Sequence, residues 1–329
     1  MENKSLISEN SDFLFVYDAT LSNPNGDPDQ ENKPRMDYDT DTNLVTDTRV
    51  KRSIRDYLKA TGHEIFVDME GEAKVSPDSK LKAVINRMLD TPQQVGQLFG
   101  ENVLLKESFS KIIDEKKSTD TIFKTLQEKK NLEVNNFILA QLVKEKFIDI
   151  RLFGSAFAIG GFNRAITGPI QLNWGYSLHK VDLVESNSIV TTMNDDSSTF
   201  GKDYRVHYSL LAFNGTINKH TAKSTGLTVE DRNKFRKSIW DSISALPTRS
   251  KLNQYPKLYI ELVYNDGVSN GHFGDLRQYI DRKPDENIRK LKDVHIDLSR
   301  LVSLINENRG KGKAIREVIA TNQLTEDKF

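Results

Sequence analysis

Five cations crowd into the eleven residues from Arg49 to Lys59: Arg49, Lys51, Arg52, Arg55 and Lys59. Only Asp47 and Asp56 offset them. At 100° per residue, Arg49, Arg52, Arg55 and Lys59 share one side of a helix, with Lys51 near its edge. Val50, Ile54, Tyr57 and Leu58 form an apolar stripe. A basic face of this kind can be a plain solvated surface. It can equally hold a phosphate backbone, because a long loop rich in Gly, Pro and Asn precedes it and helix start and cationic face could act together. Such a surface reads phosphates and sugars rather than base edges.

The loop 23–29 supplies the amides of Asn23 and Asn25 and exposed backbone N–H groups, which suit sugar and phosphate contacts or simply make a turn. Asp27, Asp29, Asp37, Asp39 and Asp41 raise the question of a metal. Asp37, Asp39 and Asp41 match alternating positions of a calcium loop. Thr42, however, stands where that loop needs its sharp-turn glycine, and Thr48 where it needs its bidentate glutamate. No metal and no cofactor is expected. The stretch Gly160, Gly161, Phe162, Asn163, Arg164 could bring backbone close to a ligand or bend between elements, but its spacing is not a dinucleotide fingerprint. Lys311 and Lys313, separated by Gly312, make a compact cationic spot that suits either solubility or a flexible phosphate clamp. Six scattered histidines show no i, i+4 zinc pair, and neither a nucleophile elbow nor a phosphate loop is present.

The whole chain narrows the choice. Lys plus Arg number 47 and Asp plus Glu 47, so the net charge is zero. A uniformly basic nucleic-acid protein is excluded; a basic face balanced elsewhere is not. There is no cysteine among the 329 residues, which removes disulfides, thiolate metal sites and cysteine nucleophiles. No apolar run reaches 18 residues and no signal-like segment opens the chain, so a cytoplasmic protein without membrane contact is expected. The length suggests roughly two domain-equivalents.

The elements that must position these residues follow from periodicity. Residues 12–19 and 206–217 read as strands, 46–59 as a helix capped by Thr46 or Asp47, and 148–151 and 167–179 as further strands. Residues 63–147 carry helical patterns at 80–89, 104–115, 122–128 and 137–147 and read as an insertion. Residues 185–202 are polar between β-like runs and read as a projecting hairpin. A helix at 228–246, a strand at 257–263, a short strand at 295–298, a helix from Ser299 and a short terminal helix complete the list. Without insertions the order is strand, helix, strand, strand, helix, strand. This is the ferredoxin-like βαββαβ order of an α+β fold, shared by the RNA-recognition fold, in which one sheet face is open to nucleic acid.

Several of these segments also resemble a known family. Asn23-Pro24-Asn25-Gly26-Asp27-Pro28, Pro34-Arg35, the run from Val45 to Leu58, Asp149-Ile150-Arg151-Leu152-Phe153-Gly154 and Thr167-Gly168-Pro169-Ile170-Gln171 look like the signature of the Cas-seven (Cas7) family. These are the backbone proteins of type I CRISPR Cascade complexes, and the likeness is greatest to the I-B and I-C branch. The resemblance implies an RNA-recognition-like palm (1–62, 148–180 and 205–329), a helical fingers insertion (63–147) and a β-hairpin thumb (181–204). It implies a non-catalytic subunit that binds the CRISPR RNA guide, lines up with neighbouring copies and other Cascade subunits, and displays the guide to a target DNA strand in antiviral defence. By motif, Thr46, Arg49, Lys51, Arg52 and Arg55 fall on the family's guide-contacting helix, and Lys311 and Lys313 match a basic pair near its end. Asn23, Asn25, Arg35, Gly160, Gly161, Asn163 and Arg164 join them as RNA-binding candidates, with Met193 as the thumb's apolar wedge. The alternative is a metal-dependent ribonuclease, as in type III backbones, using an Asp of loop 27–41. A lone RNA-processing enzyme would need a general base, and no histidine sits in the basic constellation.

Overall fold

The computed structural model describes residues 5–70, 73–74, 76, 79–80, 82–83, 86, 99–100, 102–114, 118–159, 162–185, 188–190, 200–283 and 287–329. The chain divides into two compact units. One comprises Ser8–Tyr57, Ile170–Lys219 and Asn233–Phe329, the other Met1–Ile7, Leu58–Pro169 and His220–Arg232.

The first unit is built on β1, Ser11–Ser22, whose run of aromatic and β-branched residues is buried over most of its length. It lies between β6 (Val206–Ile217) and β7 (Gln254–Tyr264), antiparallel to both, with Ser11 opposite Ile217 and Val263. The remaining strands of the sheet are β2 (Met36–Asp37), β3 (Thr42–Val45), β4 (Ile170–Leu172), β5 (Gly175–Ser177) and β8 (Ile315–Asn322). Their order is β8-β7-β1-β6-β5-β3-β2, with β4 also on β6. Helix α1, Asp47–Ala60, joins the first and second of the central strands, and helix α7, Val229–Ala245, the third and fourth. The spatial order of those four is fourth, first, third, second, so the mixed α+β topology carries the βαββαβ connectivity.

Alternation along β1 sends Phe13, Phe15 and Tyr17 to one face. There Phe13 meets Phe235 of α7 at 5.5 Å between ring centroids, and Tyr17 stacks on Phe213 at 5.8 Å. Leu14 and Val16 point to the opposite face, in a core with Leu210, Leu258, Ile260, Leu276 and Leu298, and with Leu301 and Ile305 of α8 (Ser299–Asn308). The segment after β7 folds back over this second face, so both faces of the sheet are apolar and covered.

The second unit gathers Phe66, Phe99, Phe109, Ile122, Phe123, Ile138, Leu142 and Phe147 into its own core. Its helices are α2 (Val103–Asp114), α3 (Thr119–Leu126), α4 (Leu132–Lys146), α5 (Ile148–Phe153) and α6 (Lys219–Thr225). Most of the expected helix 80–89 lies outside the described residues. The reading of 148–151 as a strand is corrected to α5. Its Asp149 is buried, and its carboxylate accepts the backbone N–H groups of Phe66 (2.8 Å) and Val67 (3.1 Å). Arg151 makes a two-pronged pair with Asp231 at 2.8 and 2.9 Å. Gly154 has φ +69°, and a Cβ there would lie 1.9 Å from the carbonyl oxygen of Ile166; one on Gly168 would lie 2.0 Å from the carbonyl carbon of Phe153. The two glycines let adjoining backbones touch, and this part of the motif is architecture.

Two further differences stand out. The terminal short helix is instead β8, which pairs with β7 from Leu258↔Asn322 to Tyr264↔Ile315. The strand expected over 167–179 breaks into β4 and β5. Gly175 lies so close to the Phe213 ring that a Cβ would come within 2.3 Å of it.

Candidate nucleic-acid interface

Thr46 caps α1. Its hydroxyl accepts the N–H of Arg49 at 3.3 Å. Asn25 reaches across from the loop after β1, and its Oδ1 accepts both the N–H (2.8 Å) and the hydroxyl (2.9 Å) of Thr46. Its own carbonyl accepts the N–H of Arg35 at 2.9 Å. Asn23 is only 3% exposed, and its amide donates to the carbonyl of Asn32 at 2.8 Å. The amide of Asn25 thus ties the loop to the helix start, while that of Asn23 donates within the loop and leaves its Oδ1 without a hydrogen-bond partner among the described residues. Asn25→Ala is expected to cost about 1–2 kcal/mol of stability, the range for losing a cap and its tether. Asn25→Asp keeps the acceptor and is expected to recover most of it; urea unfolding of the pair checks this.

Arg35 pairs with Asp27 at 3.2 Å, and its guanidinium lies 5.5 Å from the ring centroid of Trp174. Trp174 is 44% exposed, an aromatic surface beside a cation that sequence spacing did not disclose. Along α1, Lys51 pairs with Asp47 at 3.0 Å and reaches Gln171 at 3.4 Å, while Arg52 holds Asp56 at 2.9 Å. Arg55 is half-buried. Val50, Ile54 and Leu58 are buried as their spacing predicts, whereas Tyr57 stays half-exposed and donates its hydroxyl to Asp241 at 2.8 Å.

Arg49 is half-buried, as are Lys51, Arg52 and Arg55. Desolvation lowers its pKa; Tyr17 and Asp56 partly offset the effect. Close to it stands Lys251, from the turn between α7 and β7. Its ammonium donates to the carbonyl of Asn23, and burial, followed by repulsion from Arg49, brings its pKa down to about 7. Nothing in the sequence marks Lys251; only the fold brings it beside the loop 23–25.

The other candidates fall elsewhere. Lys311 and Lys313 are exposed on the turn leading into β8, beside the end of β7 that pairs with Ser11. Asn25 follows the other end of β1, roughly 35 Å away at 3.3 Å per residue, so the structure does not bring that pair to the start of α1. Asn163 and Arg164 belong to the strand Phe162–Thr167, which pairs with Gly154–Ile159 in the second unit. Gly160, Gly161 and Met193 lie outside the described residues. Around Met193, the strands Ser188–Val190 and Phe200–Lys202 pair antiparallel, and at their base Lys202 and Tyr204 both hold Glu31 at 2.8 Å.

Asp27 and Asp37 serve turns of the loop 27–41, and Asp41 pairs with Lys180 at 3.4 Å. Asp27 accepts from Asp29 N–H at 3.2 Å besides holding Arg35, and Asp37 accepts from Asp39 N–H at 3.1 Å and the Thr40 hydroxyl at 2.8 Å. Among the described residues, no three His, Asp or Glu side chains converge as a metal site would need, and no helix is long and apolar enough to cross a membrane.

What these parts make is an α+β protein with a cationic helix start seated on a tightly tied loop. Residues 9–299 match the family model of CRISPR-associated protein Cas7, and the chain belongs to that family. A relative from Haloferax volcanii, named CRISPR-associated protein Cas7, is 27% identical over 320 residues, covering 90% of this chain and 82% of its own. Among solved structures, a chain of a CRISPR RNA-guided surveillance complex in a pre-nicking state aligns with 79% of this chain and 80% of its own, at 13% identity and a TM-score of 0.46. A chain of another CRISPR RNA-guided surveillance complex aligns with 79% of this chain and 72% of its own, at 12% identity and a TM-score of 0.39.

Proposed function

We propose that this protein is the guide-binding backbone subunit of a type I Cascade effector complex. Copies polymerise along one CRISPR RNA and hold it by its phosphates, leaving the bases to pair with a target DNA strand. Membership of the Cas7 family over residues 9–299 is the observation that carries this reading. The start of α1 gives it a physical basis, because its cations can grip a backbone without reading sequence, as a subunit that must accept any spacer requires. In this reading the sheet and its helices are an RNA-recognition-like palm (1–62, 148–180 and 205–329). Segment 63–147 is the fingers, and 181–204 is a thumb inserted between guide bases bound by a neighbour. The subunit is a binding protein rather than a catalyst, and it works in the cytoplasm with other Cascade subunits.

One protomer covers little RNA and binds weakly alone. Contacts between neighbours add to the phosphate contacts, so loading is cooperative. Native mass spectrometry of the purified protein on single-stranded RNAs of increasing length is expected to show copy number rising with length and intermediates underpopulated. One copy per RNA at every length would point to an end-binding or processing enzyme and overturn the reading. Evenly spaced cuts in complementary RNA with Mg²⁺ or Mn²⁺, lost on substituting an aspartate of loop 27–41, would overturn its non-catalytic part.

A further inference from the structure

A cleft of about 740 Å³ opens beside the short strand pair Asp281–Arg282 and Ile296–Asp297, and its far wall is Leu324, Thr325 and Glu326, which follow β8. Leu291, Val294, Ile296 and Leu324 give it an apolar floor, continuous with the core on that side of the sheet. Arg282, Lys283 and Lys292 stand exposed on its rim, and no carboxylate lies within ion-pair distance of them among the described residues. Of the rim acids, Asp281 is cancelled by Arg300 at 2.9 Å, which leaves Asp297 and Glu326 against the three cations. An apolar floor under a net cationic rim fits an aromatic side chain flanked by carboxylates.

The same unit carries such a knob at the other edge of its sheet. The turn between β2 and β3 exposes Tyr38, Asp39, Thr40 and Asp41, with Tyr38 53% exposed. Bonds from Asp39 N–H and the Thr40 hydroxyl to Asp37 stiffen the turn, and Tyr38 donates its hydroxyl to Gln30 at 3.1 Å. The Asp39 carboxylate has no ion-pair partner among the described residues, and the Asp41–Lys180 pair is exposed on both sides. Strands β8 and β2 are the two edges of the sheet, six strand spacings or roughly 29 Å apart. The pairing of Met36 with Asn43 and of Asp37 with Thr42 fixes the knob at its own edge, away from the cleft of its own chain. A surface and its complement on opposite edges of one subunit make a heterologous contact, which repeats from copy to copy.

We infer that Tyr38 of one copy seats in the cleft of the next, with Asp39 and Asp41 meeting Arg282, Lys283 and Lys292 at its rim. The inference rests on the reading of the protein as a subunit that loads in file along one guide, and it names the two surfaces that meet. A tyrosine suits the role, since it buries a large ring at little entropic cost and keeps a polar tip. The flanking charges set the register and exclude a copy approaching the other way round. The contact is small, so it holds copies together only when RNA already brings them side by side.

The chain has no cysteine, so introduced thiols report the contact directly. Asp39→Cys and Glu326→Cys, singly and together in the full chain, are loaded on RNA long enough for several copies and treated with a short bismaleimide. Neither single variant is expected to link to itself, a mixture of the two should give dimers only, and the double variant a ladder that lengthens with the RNA. In parallel, Tyr38→Ala should bind RNA of one protomer footprint as the wild type does and lose about 30-fold in affinity for each further copy, the effect of one anchoring aromatic. Lys292→Glu should also weaken loading of further copies, and Asp39→Lys in the same chain should restore it. Links within a single variant would mean that like surfaces meet, and would overturn the inference. So would wild-type cooperativity in Tyr38→Ala and Lys292→Glu, which would leave the cleft to some other protein. In both cases the guide-binding reading stands. A wild-type protein that loads long RNA without cooperativity would instead overturn that reading.

Discussion

Arg236→Met is expected to lower the unfolding free energy by about 3–5 kcal/mol at pH 7, the usual cost of removing one partner of a buried ion pair. Glu261 lies on β7 with its side chain fully buried, and Arg236 of α7 grips both its oxygens at 2.8 and 2.9 Å. Ser11 of β1 and Tyr259 of β7 each donate a hydroxyl to the same carboxylate at 2.7 Å. Burial alone pushes the carboxyl's pKa up, but the hydrogen bonds and charge of Arg236, with Ser11 and Tyr259, outweigh it and hold the group below its ordinary 4.5. In the wild type this contribution is present above pH 4.5 and fades as pH falls through the lower folded value. In Arg236→Met only the Ser11 and Tyr259 hydroxyls still oppose burial, and the folded pKa is expected to rise above 4.5. The charged carboxylate then destabilises the variant as pH rises past 4.5. The gap between the two proteins should be widest near pH 7 and narrow toward pH 4. Urea unfolding at several pH values measures this, and a gap that does not change with pH would show that Arg236 acts through packing.

The same region shows what periodicity can and cannot convey. Strand β6 falls on the residues read from the sequence, because a long, mostly buried run of apolar residues marks it. Helix α1 is legible for the same reason, with Thr46 as its cap and Val50, Ile54 and Leu58 as its core. How far the cations are covered is not legible. The buried stripe is wider than its apolar members, since Ser53 is buried as well, and Arg49, Lys51, Arg52 and Arg55 on its flanks are all half-buried. A polar residue on the edge of a stripe reads as surface until the neighbouring element is known. Lys251 is less legible still, because a lone lysine between Ser250 and Leu252 acquires meaning only when β1 and β7 pair. The motif blocks behave differently. Asp149, Arg151, Gly154 and Gly168 signal the family, but they serve packing and hydrogen bonding within the second unit. That both sheet faces are covered is not legible, because order along the chain says nothing of a later segment folding back over it. Leu276, Leu298, Leu301 and Ile305 do this, and they sit far beyond the last of the four central strands.

Replacing Arg52 and Arg55 together by Ala is expected to weaken RNA binding roughly 100-fold, at about 1.5 kcal/mol for each charge-assisted hydrogen bond to a phosphate that is removed. The effect should be the same for unrelated spacer sequences, because a guanidinium on a phosphate cannot tell one base from another. Arg52 now holds Asp56, but that pair is one helical turn apart and about 30% exposed on each side. Exchanging such a pair for a phosphate costs little, since partly exposed i, i+4 pairs contribute only about 0.3–0.5 kcal/mol. Asp56→Asn follows as the converse: it removes the competitor and one negative charge, and it is expected to tighten binding. Both variants should keep the wild-type thermal midpoint to within a few degrees, because neither changes the buried stripe of Val50, Ile54 and Leu58. Filter binding over 50–200 mM salt with three unrelated RNAs gives the result. The slope of log affinity against log salt should fall by about 1.4 in the double variant, two phosphates at about 0.7 each. A weakening confined to one RNA would mean that α1 reads bases, and α1 would then be a sequence-specific element instead of a general grip on the backbone.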